Sequence, residues 1–182
     1  MEELWDIYDI NRNKTNKVAG RETHEFTNGE YHLITVAVII NSKDEILTAK
    51  RAKTKKRDPL KWELSGGGVR AGESSLEAII RETKEEIGLS FKQEDAILLK
   101  EVRRDNEKGG GSFKDFWLFK SNIDAEQIKF PDKEATEAKW VTIDEFMKMQ
   151  EGGKVITGLD FEKEDYELAI KILTNSERNN KL

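Results

Sequence analysis

The sequence predicts an α/β protein in which helices pack against a β-sheet. Two observations support this class: apolar, β-branched runs alternate along the chain with segments that begin on helix-capping patterns. Strands interleaved with helices are typical of α/β and α+β domains. The length of 182 residues favours one such domain with short extensions.

The strongest strand signal covers residues 31–40, which are nearly all apolar and rich in β-branched side chains. Such a run indicates a strand that is buried on both faces. A polar turn at 41–44 and a second run at 45–50 predict the return strand of a hairpin. Residues 1–29 are polar and carry turn-like stretches, so we expect an N-terminal extension that packs on the domain and is a candidate contact in a homodimer.

Capping patterns locate the helices. Ser74 and Glu77 form a capping box before a helix over residues 75–87, and Gly88 occupies the expected C-cap. The remaining elements are expected to be strands at 96–103, 113–121 and 138–141, a mobile glycine-rich loop at 108–112, a helix from Thr142 to near Gly152, a helix at 163–173 and a frayed polar tail at 174–182. We therefore place the domain at residues 30–173.

The composition excludes several classes of function. The chain contains no cysteine, which rules out disulfides, thiolate metal sites, iron–sulfur clusters and a cysteine nucleophile. The net charge of −5 argues against stable binding to nucleic acid. The longest apolar run, residues 33–40, is far shorter than the ~20 residues of a membrane helix, and the acidic start has no signal-peptide core. We therefore expect a soluble cytoplasmic protein.

Three glutamates on the first predicted helix indicate a metal site. Glu85 and Glu86 fall within about 60° of Glu82 on a helical wheel, so the three carboxylates share one face. Their mutual repulsion is unfavourable, and they lie toward the helix C-terminus, where negative charge is disfavoured. Mg²⁺ would remove both penalties, because it binds carboxylate oxygens and is often shared with substrate phosphates. A solvated face screened by Arg81 and Lys84 is the alternative. The packing stripe is expected on a separate face, at Leu76, Ile80, Thr83 and Ile87.

The glycines before this helix favour the metal interpretation, because Gly66, Gly67 and Gly68 allow close approach of the backbone to a ligand or ion. The pattern is Gly67, five residues, Glu73, seven residues, then Arg81-Glu82-x-x-Glu85-Glu86-x-Gly88-Leu89. It resembles the Nudix box, and every fixed position of that 23-residue signature is present. Thr83 stands where a larger aliphatic residue is usual, and Ser65 replaces a common proline. The resemblance extends over residues 31–149.

The resemblance to the Nudix family implies a fold, a reaction and roles for particular residues. The fold is an α/β/α sandwich around a mixed sheet, and the reaction is hydrolysis of a diphosphate linkage in a small molecule, a nucleoside diphosphate joined to another group. By position, Mg²⁺, or Mn²⁺ in its place, would be bound by Glu82, Glu85, Glu86 and the Gly66 carbonyl. Glu85, Glu86 and Arg81 are the catalytic candidates within the box, whereas Glu73, Gly67 and Gly88 have structural roles, Glu73 by pairing with Arg81.

Other candidates lie outside the box. In some Nudix enzymes the general base is a glutamate on a later loop, which here makes Glu134 and Glu137 the candidates; ordinary surface acids are the alternative. The basic run at 50–57 is either a phosphate-steering lip or a solvated loop. Arg51, which closes a strand, is the candidate for substrate binding. His32 is interpreted first as a structural histidine of the buried strand.

Two other functions stay open. One is a Nudix module that binds a nucleotide without cleaving it, although the complete set of box residues argues for catalysis. The other follows from the N-terminal segment, which together with His32 resembles a bacterial Nudix subgroup close to isopentenyl-diphosphate isomerases, where a matching histidine binds a metal. Those isomerases need a catalytic cysteine, and this chain has none.

Overall fold

The computed structural model of the protein describes residues 2–179, and side chains as far as residue 176. Within these residues, nine strands form one mixed sheet, and three α-helices flank it. The strands are β1 (Leu4–Tyr8), β2 (Lys14–Gly20), β3 (Tyr31–Ile40), β4 (Ile46–Arg51), β5 (Trp62–Glu63), β6 (Gly66–Gly68), β7 (Ile97–Asp105), β8 (Gly111–Lys120) and β9 (Ala135–Val141). The helices are α1 (Ser75–Ile87), α2 (Ile143–Glu151) and α3 (Lys163–Asn179).

Strand β3 is the centre of the sheet. It pairs in parallel with β8 along its whole length, from Tyr31 opposite Gly111 to Ile40 opposite Lys120. It also pairs antiparallel with the glycine strand β6, with β1 and, at its last residue, with β4. The expected hairpin of β3 and β4 is therefore present but short, because β4 continues by pairing with β9 and β5.

The two faces of β3 lie in different cores. Val36, Val38 and Ile40 belong to an apolar cluster that includes residues of α2 and α3. Ala37 and Ile39 belong to a second cluster, which contains residues of α1. Because adjacent residues of a strand point to opposite faces, this arrangement makes an α/β/α sandwich. The predicted fold class is confirmed.

Helix α1 begins and ends as predicted. Ser74 and Glu77 form a reciprocal capping box, and Gly88 closes the helix in the left-handed conformation with φ 68°. The prediction of a separate packing face is wrong, however, because the buried residues of α1 include Ala78, Ile79 and Glu86. The Glu86 carboxylate packs against Ser65 and the backbone of Gly66, which both donate hydrogen bonds to it.

The N-terminal segment contains a hairpin that its polar sequence did not indicate. Strands β1 and β2 pair with each other, and Tyr8 pairs with Tyr31 of β3, so the segment extends the sheet. The glycine-rich loop at 108–112 is also more ordered than expected. Asn28 and Gly29 donate backbone hydrogen bonds to its carbonyls, and β8 already begins at Gly111. The predicted dimer contact and the predicted domain limits stay predictions.

The C-terminal helix is longer than its sequence indicated. The expected end at residue 173 is wrong, because α3 continues to Asn179. The predicted frayed tail is thus helical at 174–179, and residues 180–182 lie outside the described residues. In the part of the chain that the structure describes, none of the helices is both long and apolar enough to span a membrane.

Candidate active site

A cavity of about 530 Å³ lies beside the glycine strand. Its walls come from β6, α1, the N-terminal segment, the loop after β4 and the loop around Gly158. Five carboxylates line it, namely Asp58, Glu63, Glu82, Glu86 and Glu134. The structure therefore brings part of the predicted Nudix-box residues to one concave surface.

Glu86 is the most constrained of these carboxylates. It is only 6% exposed, and its Oε2 accepts hydrogen bonds from Ser65 Oγ at 2.6 Å and from the Gly66 N–H at 3.0 Å. Burial, together with the charges of Glu63 and Glu82, raises the pKa of Glu86 well above its usual value. Within residues 2–179, no cationic side chain lies at ion-pair distance from it. Glu86 is thus a buried acid that needs a proton or an added cation.

Glu82 lies next to the glycine strand on the same helix face. Burial raises its pKa, and Arg81, whose Nη1 donates to its Oε1 at 2.6 Å, opposes that shift. A Cβ atom on Gly67 would lie 2.5 Å from Glu82 Oε1. The glycine at position 67 therefore leaves space for the Glu82 carboxylate, as its predicted structural role requires.

Arg81 joins the loop to the helix. Its Nε and Nη2 donate to the two oxygens of Glu73 at 2.9 and 2.8 Å, and Nη2 also reaches the Gly68 carbonyl at 3.2 Å. This is the ion pair that the resemblance implied. Arg81 Nη1 also donates to Glu85 Oε2 at 3.2 Å, and Arg70 Nη2 lies 3.5 Å from the same oxygen. The side chain of Glu85 is 44% exposed and does not line the cavity.

Some of the carboxylates predicted as metal ligands are placed where they could bind a hard divalent cation. As the side chains stand, no three histidine, aspartate or glutamate groups within residues 2–179 converge closely enough to hold a metal ion. Glu82 and Glu86 are oxygen donors in one cavity, and the uncompensated burial of Glu86 favours an added cation. Glu85 has to leave Arg70 and Arg81 before it can join them.

Arg51 is engaged with the protein. Its Nη1 donates to Glu63 Oε2 at 2.6 Å, and its other nitrogens donate to the Arg57 carbonyl. Burial raises the pKa of Glu63, and the Arg51 charge opposes this shift. Glu63 was missed as a site residue. Its only signal was its place in the short run that leads into the glycines.

The two candidate bases lie in different environments. Glu134 lines the cavity and forms an ion pair with Lys55, which also lines it. Glu137 lies on β9 outside the cavity, where its 53% exposed side chain pairs with Lys50 at 3.3 Å. Of the two, Glu134 is placed where a substrate can reach it.

An aromatic cluster closes one end of the cavity. Trp5 stacks on His32 with ring centroids 4.2 Å apart and planes 3° from parallel, and Phe26 packs on the same imidazole at 4.6 Å. A Cβ atom on Gly68 would lie 2.6 Å from the Trp5 indole. Burial, with the charges of Lys114, Arg21 and Arg57, lowers the pKa of His32 to about 3. The N-terminal segment thus forms a wall beside the glycine strand.

Comparisons with known proteins identify relatives of the whole chain. The model of the NUDIX domain matches residues 30–157. An uncharacterised Nudix hydrolase of Listeria innocua is 30% identical over 156 residues, which cover 85% of this chain and 88% of that protein. An RNA pyrophosphohydrolase of Ruthia magnifica is 50% identical over 54 residues, 30% of this chain and 27% of that one. The crystal structure of DR0079 from Deinococcus radiodurans superposes with a TM-score of 0.71 at 18% identity, covering 93% and 98% of the two chains.

Proposed function

The chain belongs to the Nudix hydrolase family, and from that premise we propose that it hydrolyses a diphosphate linkage in a nucleoside diphosphate derivative with the help of Mg²⁺ or Mn²⁺. Glu86 carries this proposal, as a buried carboxylate with no cationic partner among residues 2–179, in a cavity beside three consecutive glycines. The pyrophosphohydrolase name of the Ruthia relative supports the same bond as the target.

The metal would be held by Glu82 and Glu86, with Glu85 and the Gly66 carbonyl as further ligands. When bound, the cation neutralises the diphosphate and lowers the pKa of a coordinated water. The chain's own residues supply the positioning. Ser65 and the Gly66 N–H orient Glu86, while the glycines let a phosphate approach the backbone.

Glu134 is the proposed general base. It lines the cavity, whereas Glu137 does not, and Lys55 holds its carboxylate. Glu134 would accept a proton from the attacking water while the water oxygen bonds to phosphorus and the bond from phosphorus to the leaving oxygen breaks. Arg81 acts through Glu73, Glu82 and Gly68 by fixing the loop to the helix.

A screen of nucleoside diphosphate derivatives tests the proposal. The protein is incubated with each compound and Mg²⁺, and products are identified by mass spectrometry, with EDTA and Glu86→Gln as controls. We expect phosphate-containing products that disappear in both controls. Full activity in EDTA would refute a metal mechanism. Tight binding of a nucleotide without any product would instead identify a non-catalytic Nudix module.

A further inference from the structure

Three cationic side chains line the cavity that His32 and its aromatic neighbours also line. Arg21 comes from the segment after β2, Arg57 from the loop after β4, and Lys114 from the middle of β8. All three line the cavity, and all three are close enough to act on the His32 charge. We call these three residues the cationic end. They lie apart in sequence, and none belongs to the Nudix box.

Two of the three cations have carboxylate partners, and Asp58, which follows Arg57 and also lines the cavity, pairs with Lys61 at 2.9 Å. Asp160 alone pairs with two cations, Lys114 and Arg104. Arg21 pairs with Glu3 at 3.3 Å, and its guanidinium lies 5.7 Å from the Trp5 ring centroid. Within residues 2–179, the Arg57 guanidinium has no hydrogen-bond or ion-pair partner. A positive group that faces a cavity in this state is available to an anionic ligand.

The aromatic rings strengthen the attraction between the cationic end and an anionic ligand. Trp5, Phe26 and His32 present low-dielectric walls, and a charge is attracted more strongly across such walls than across water. The His32 Nδ1 is buried without a partner in the described part of the chain. The imidazole, which packs against Trp5 and Phe26, therefore keeps one buried nitrogen without a hydrogen bond beside the cationic end.

The cavity is lined by both carboxylates and cations, and two of these cations, Arg51 and Lys55, pair with Glu63 and Glu134. Glu63, Glu82 and Glu86 line the end where a metal would bridge to a diphosphate, and Arg57 lines the same cavity. A diphosphate bound there with a cation would satisfy the carboxylates but leave the Arg57 guanidinium, among the described residues, without a partner. We propose that this end binds a second anionic group of the substrate, a phosphate beyond the linkage that is cleaved, with Arg57 as its main contact. The inference rests on the proposed function, and it narrows the substrate class to compounds that carry an additional phosphate.

Binding of inorganic phosphate tests the cationic end without catalysis. Calorimetry in EDTA at low salt compares the wild type with Arg57→Ala, Arg57→Lys and Lys56→Ala. Lys56 is the matched control, because it is the adjacent cation but pairs with Glu22 outside the cavity. We expect Arg57→Ala to weaken phosphate binding about tenfold or more, since hydrogen bonds between charged groups are strong. Arg57→Lys should retain part of the affinity, and Lys56→Ala should retain all of it.

Kinetics on a pair of substrates tests the same point under turnover. For Arg57→Ala we expect a rise in KM for a nucleoside triphosphate, with kcat nearly unchanged, and little effect on a nucleotide sugar whose far group is neutral. Equal effects on both substrates, or phosphate binding unaffected by Arg57→Ala, would overturn the inference. Equal losses of phosphate affinity in Arg57→Ala and Lys56→Ala would also overturn it. They would show that phosphate responds to the overall positive charge of the loop and not to Arg57 itself.

The outcomes separate the inference from the proposed function. If no compound is hydrolysed while phosphate binding still depends on Arg57, the hydrolase proposal fails and the anion site stands. If hydrolysis occurs but Arg57→Ala behaves as the wild type in both assays, the anion site fails and the hydrolase stands.

Discussion

The two ends of the cavity differ in how the chain builds them. The carboxylate end depends mainly on one continuous segment, in which Gly66 to Gly68 and helix α1 are separated by a short loop. The cationic end gathers Arg21, Arg57 and Lys114 from three distant segments. The spacing of a continuous segment is visible in the sequence, whereas convergence of distant residues depends on the whole sheet. The reaction type was therefore predictable, and the substrate contacts were not.

The largest effect is expected at the carboxylate end. Glu86→Gln should lower kcat by about 10²-fold or more, because it removes one charge from the proposed metal site. Steady-state kinetics with saturating Mg²⁺ measures this change, and circular dichroism checks that the fold is intact. Glu94→Gln, an equal charge change on an exposed turn, is the control. Near wild-type turnover in Glu86→Gln would mean that Glu86 is not a ligand.

The two candidate bases give the next test. Glu134→Gln should lower kcat by about 10²-fold, the lower limit for loss of a general base. Glu137→Gln is the matched variant on the same strand region and should keep its activity, since its side chain lies outside the cavity. If the two variants lose activity equally, the cavity does not identify the base.

The uncompensated charge of Glu86 predicts a pH-dependent stability. Its pKa is raised above 4.5 in the folded protein, so the folded state binds this proton more tightly than the unfolded state. The resulting stabilisation is present at low pH and is lost as pH rises through the folded pKa. In EDTA, Tm of Glu86→Gln should therefore exceed that of the wild type increasingly above pH ~4.5, by about 2–4 °C for each 1 kcal/mol. A Tm difference that is the same at every pH would show that the ionised form of Glu86 does not destabilise the folded protein.

The smallest effect is expected from Ser65, one of the two residues that depart from the family pattern. Ser65→Ala removes the 2.6 Å hydrogen bond to Glu86 and should weaken Mg²⁺ binding about tenfold, as loss of an outer-shell partner does. Ser112→Ala is the control, because that buried serine lines the same cavity and, among the described residues, makes no hydrogen bond to a carboxylate. Calorimetric titration with Mg²⁺ measures both. Unchanged affinity in Ser65→Ala would leave the Gly66 N–H as the group that orients Glu86.

Local signals account for what was predicted correctly. The capping box at Ser74, the left-handed cap at Gly88 and the two-faced strand β3 depend on neighbouring residues, and all three are present. The family and the sandwich fold are confirmed as well. These features can be predicted without distant contacts, because each depends on a few residues that are adjacent in the sequence.

Distant contacts account for what was missed. The hairpin pairs the largely polar strand β2 with the short apolar strand β1, and Trp5 of β1 packs on His32 and Gly68 of the domain. The Glu82 carboxylate lies in the space that a Cβ atom on Gly67 would fill, and Glu86 is buried on the packed face of α1 against Ser65 and Gly66. Glu63 became a site residue only because Arg51 and Glu86 approach it from other elements.

The parallel pairing of β3 with β8 has a consequence during synthesis. Tyr31 finds its partner at Gly111, 80 positions later in the chain. At roughly 5–20 residues per second, a ribosome needs about 4–16 s to make the intervening segment. Through that interval the ten residues of β3 present two apolar faces and an unpaired edge. The nascent chain is therefore most exposed to aggregation before β8 emerges, and chaperone capture is expected in that window.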